Sequence, residues 1–77
     1  MSEQAMIDRE QVLRTIEKLR ARTGHLHQEL LHLQESASFD PRLPGLDVRA
    51  GSIGAESRTL SDEAEQLRER LHELRRR

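Results

Sequence analysis

Apolar positions along this chain fall into two stripes, one on each side of a proline-marked break. The first is Val12, Ile16, Leu19, Thr23, Leu26, Leu30, Leu33 and Ala37; the second is Leu46, Ala50, Ile53, Ser57, Leu60, Ala64, Leu67, Leu71 and Leu74. Both step alternately by four and three residues, which draws a narrow seam along one face of an α-helix. Between them lies Phe39-Asp40-Pro41-Arg42-Leu43-Pro44-Gly45. Neither proline fits inside a helix and Gly45 tolerates left-handed backbone, so the chain turns there. The pattern predicts one all-α domain over residues 1–77, an antiparallel two-helix hairpin of coiled-coil type. Helix one covers about residues 8–38, the turn 39–45, and helix two about 46–76.

The ends of these helices are less sharply written than their faces. Asp8 followed by Gln11 resembles a capping box, with Ser2 as a competing start. Gly51, Ser52, Gly54 and Ser57 weaken the start of helix two, and Ser61-Asp62-Glu63 has the look of a fresh helix beginning. Against a late start stands the unbroken seam Leu46, Ala50, Ile53, Ser57, Leu60. A structureless stretch of some twenty residues is also unusual in so small a domain. The continuous helix is the expectation.

Folding the chain back on itself pairs the stripes: Val12 with Leu71, Ile16 with Leu67, Leu19 with Ala64, Leu26 with Ser57, Leu30 with Ile53, and Leu33 with Ala50. Several layers set a large residue against a small one, which keeps the volume per layer near constant. On the flank, the same register places Arg22 across from Glu63 and Glu29 across from Glu56.

Composition narrows the field. Apolar residues make up 34% and charged residues 35%, a balance suited to long solvated helices rather than a compact globule. One Phe with no Trp or Tyr removes the usual aromatic anchors, and zero cysteines remove disulfides, thiolate metal sites and a Cys nucleophile. With no signal-like leader and no apolar run near 18 residues, the expectation is a cytoplasmic chain without membrane contact. A two-helix hairpin leaves each helix half uncovered, and Leu13, Leu31, Phe39 and Leu43 lie off the seam. Gly51, Gly54 and Ala55 form a small-residue patch that another helix can approach closely. The simplest cover is self-association into a four-helix bundle or larger homo-oligomer, together with a protein partner whose identity the residues do not give.

Charge patterning supplies two alternatives. Net charge is −1, yet Arg14, Lys18, Arg22, Arg75, Arg76 and Arg77 gather at the open end of the hairpin, where they can meet phosphates. The architecture is similar to that of small plasmid-encoded RNA-binding proteins, dimeric hairpins forming four-helix bundles, although no motif is shared. That resemblance implies nucleic-acid binding, but interleaved acids such as Glu10, set to pair with Arg14 along the helix, argue for an ordinary solvated face. Glu29-x-x-His32 and Glu69-x-x-His72 have the spacing of metal-binding bundles, and His25, Glu29, His32 and Glu56 are candidate ligands if a face is buried. His-rich and Glu-rich helices produce such spacings readily, so no metal or other cofactor is expected. Nor is catalysis: Gly51-Ser52-Ile53-Gly54 lacks the lysine of a phosphate loop, and a hairpin encloses no pocket. The sequence therefore reads as a non-enzymatic helical protein–protein interaction module of adaptor, small-chaperone or regulatory-subunit type.

Overall fold

The computed structural model describes residues 3–77. It contains two helices, α1 (Glu3–Phe39) and α2 (Leu46–Arg76), packed along each other. The molecule is a rod of 58 × 16 × 13 Å. α1 begins well before Asp8, so that residue lies inside the helix and does not cap it. The rival start at Ser2 falls outside the described residues. α2 runs unbroken from Leu46, and Ser61 sits in its interior.

The turn is built from backbone and one carboxylate. The Asp40 N–H donates to the Ser36 carbonyl at 3.0 Å, closing α1. The Asp40 carboxylate then accepts the Arg42 N–H at 2.9 Å, a local Asx turn. Gly45, at φ 88°, is the N-cap residue of α2, and its carbonyl accepts the Arg49 N–H at 3.0 Å. No other described residue has a positive φ, so here the absent Cβ is a requirement.

The seam is half of the expected one. Val12, Leu19, Leu26 and Leu33 of α1 and Leu46, Ile53, Leu60, Leu67 and Leu74 of α2 are covered, with Ile53 buried at 5% exposure. The alternate positions other than Ala37, which is half-buried, turn outward: Ile16, Leu30 and Leu71 are 41%, 47% and 39% exposed, and Thr23, Ala50, Ser57 and Ala64 are exposed as well. Next to the covered leucines lies instead a polar column, with Asp8 buried and Glu29, Ser36, Glu56, Glu63 and Arg70 half-buried. Each helix is thus rolled about its axis by roughly half the ~100° that separates neighbouring residues. The reason is visible in the residues. Every seventh position carries a Val, Leu or Ile, whereas the alternate apolar column is diluted by Thr23, Ser57, Ala50 and Ala64. The flank opposite carries charges of both signs that pair across the helices.

The roll gives the hairpin two unlike sides. On a helix, positions one or four after a seam residue lie to one side of it, and positions three after or one before lie to the other. In an antiparallel pair the like-sided flanks of both helices adjoin. Gln11, Thr15, Lys18 and Arg22 line one shallow cleft together with Glu63, Gln66 and Arg70, which fixes the shared polar side. Met6, Leu13, Ile16 and Leu30 of α1 therefore share the other side with Ala50, Gly54, Ala64 and Leu71 of α2.

Candidate functional site

Charges on the polar side pair in rungs. At the open end, Asp8 accepts from Arg70 Nη2 at 2.7 Å and from Arg77 Nη1 at 3.3 Å. Gln4 Nε2 adds a third donor at 3.3 Å. The Asp8 side chain is only 9% exposed, and these donors replace the water it loses. The sequence offers Asp8 as a candidate N-cap beside Ser2 and does not foretell this clamp. Its signal was an acid one turn before Val12, with Arg70 and Arg77 seven residues apart on the other helix. One step inward, Arg22 Nη1 donates to Glu63 Oε1, the cross-helix pair the register placed there.

The next rung carries like charges. Glu29 and Glu56 face each other from α1 and α2, and His25 joins them one helical turn before Glu29. One donor atom from each of the three lies within 4.8 Å of the other two. His25 Nε2 stands 2.6 Å from Glu29 Oε1, whose side chain is 25% exposed. Glu56 makes no ion pair or side-chain hydrogen bond among the described residues. His32, named with these three from the sequence, is exposed and lies outside the cluster.

The basic candidates at the open end are partly committed. Arg22 and Arg77 are held by Glu63 and Asp8, and Arg76 donates to the His72 ring at 3.1 Å. Arg14, Lys18 and Arg75 make no ion pair among the described residues. The expected Glu10–Arg14 pair does not form; helix-spaced pairs occur instead at Glu65–Arg68 (2.8 Å) and Arg70–Glu73 (3.5 Å).

Apolar candidates divide by place. Leu13 and Leu31 are exposed on α1, and near the turn Phe39 and Val48 are exposed at 86% and 73%, with Leu43 half-buried. Gly51 and Ala55 are exposed and Gly54 half-buried. A Cβ added at Gly51 or Gly54 would meet nothing within 4 Å, so neither glycine is demanded by packing inside the hairpin. No described helix is long and apolar enough to cross a membrane. Comparison with protein-family models, curated proteins and solved structures returns no match.

Proposed function

We propose that this chain is a non-enzymatic helical interaction module that works by self-association, two hairpins laying their apolar sides together as a four-helix bundle. The observation that carries this reading is the exposed column of Ile16, Leu30 and Leu71 along one side of both helices. A hairpin meant to stand alone gains by rolling those side chains into its own seam. Leaving them outward, with an ion-paired flank turned in, is the arrangement that a second apolar surface completes.

Area points the same way. The chain exposes 6576 Å², whereas a compact monomer of 8.9 kDa exposes about 4,800 Å². The excess is about 1,800 Å², and a standard interface covers about 800 Å² on each partner. A net charge of −1 offers little repulsion between copies. The bundle leaves the turn free, so Phe39, Leu43 and Val48 are the surface on which such an adaptor or regulatory subunit engages a different protein. A cytoplasmic location fits a chain without cysteine, and cell fractionation tests it.

Sedimentation equilibrium of the purified chain and of an Ile16→Glu/Leu30→Glu variant tests the proposal. The parent is expected to sediment as a dimer or larger species, and the variant as a helical monomer. A parent that stays monomeric and helical across the micromolar range overturns it.

A further inference from the structure

We propose that His25, Glu29 and Glu56 bind a divalent transition-metal ion, zinc fitting best, and that the ion staples α1 to α2 midway along the hairpin. Three observations converge. The three side chains present one imidazole nitrogen and two carboxylate oxygens within 4.8 Å of one another, drawn from two helices. Mixed N/O donors of this kind suit zinc and its first-row neighbours, and three protein ligands leave one position for water. The other acids that bridge the helices are not left this way. Toward the open end, Asp8 and Glu63 are each met by arginine. The Glu29/Glu56 rung sets two acids face to face with only His25 beside them, and Glu56 is left without a partner among the described residues. A bound dication converts that repulsion into attraction.

Geometry permits the change. Metal bonds of about 2.0 Å in a tetrahedron place donors about 3.3 Å apart. His25 Nε2 and Glu29 Oε1 are already closer, at 2.6 Å, and open slightly to admit the ion. Contraction elsewhere in the cluster is at most about 1.5 Å, within reach of Glu rotamers that leave the helices where they stand. Because His25 and Glu29 both belong to α1 and Glu56 to α2, binding couples the two helices and stabilises the hairpin by mass action. The cluster lies on the polar side, away from the apolar column, and so stays open to solvent when two hairpins pair.

The test titrates zinc chloride into the chelator-treated full chain by calorimetry and follows thermal unfolding by circular dichroism. The expected result is one ion per chain and a raised Tm. Even outer-shell changes weaken metal binding by about 10–100-fold, so Glu56→Gln and His25→Ala are expected to cost at least tenfold in affinity. Glu56→Gln is also expected to abolish the Tm rise. It keeps side-chain size and relieves a like-charge contact, so its fold is retained. His72→Ala is expected to bind as the parent does. The proposal is overturned if the parent shows no saturable binding, if the affinity is unchanged by Glu56→Gln and His25→Ala, or if Glu56→Gln keeps the full Tm rise.

Discussion

The two flanks of the seam share one backbone and one length, yet they solve opposite problems. On the polar side, Asp8 with Arg70 and Arg77, then Arg22 with Glu63, bridge the helices and leave little for a partner to supply. On the apolar side, Ile16, Leu30 and Leu71 bridge nothing and stay exposed. An exposed ion pair such as Arg22–Glu63 contributes little stability by itself, and these pairs accompany a roll of both helices that leaves the apolar side uncovered.

Substitution in the shared seam is expected to have the largest effect. Ile53 is its most buried side chain, and Ile53→Ala should lower hairpin stability by about 2–4 kcal/mol. Ile16→Ala on the apolar flank should cost less than about 1 kcal/mol in dilute chain, with the deficit growing as concentration rises and association is lost. Urea unfolding at two protein concentrations separates the cases; equal costs at high dilution would make the two columns equivalent.

The polar flank is itself graded. Asp8→Ala removes a buried carboxylate with three donors and is expected to cost about 1–2 kcal/mol. Arg22→Ala breaks a more exposed pair and should cost about 0.2–1 kcal/mol. The same unfolding series reads both, and an Arg22 effect larger than that of Asp8 would reverse the ranking. Opposite in sign is Gly54→Ala. Nothing lies within 4 Å of the added Cβ, so helix propensity alone should stabilise the isolated hairpin by roughly 0.8–1 kcal/mol. Loss of association in that variant, read by sedimentation, would place Gly54 against the second copy.

The break at Pro41 and Pro44 follows from local chemistry, and the unbroken helix through Gly51 and Gly54 follows from the seven-residue period against weak local propensity. Capping is judged from neighbours in sequence, whereas the partners of Asp8 are Arg70 and Arg77 on the other helix. Of the metal candidates, His25, Glu29 and Glu56 converge and His32 does not. Spacing places residues on a helix, but the facing helix decides which of them meet.

By itself the sequence determined two helices, their turn and the column of large aliphatics between them, because period, proline and glycine act within a few residues. Only the tertiary structure decided which second column accompanies that seam. A four-three repeat is compatible with a roll toward either flank. The roll observed brings charges such as Arg22 and Glu63, residues 41 positions apart, against each other. Local pattern carries no record of the summed energy of contacts between helices, and so none of which apolar column stays in solvent.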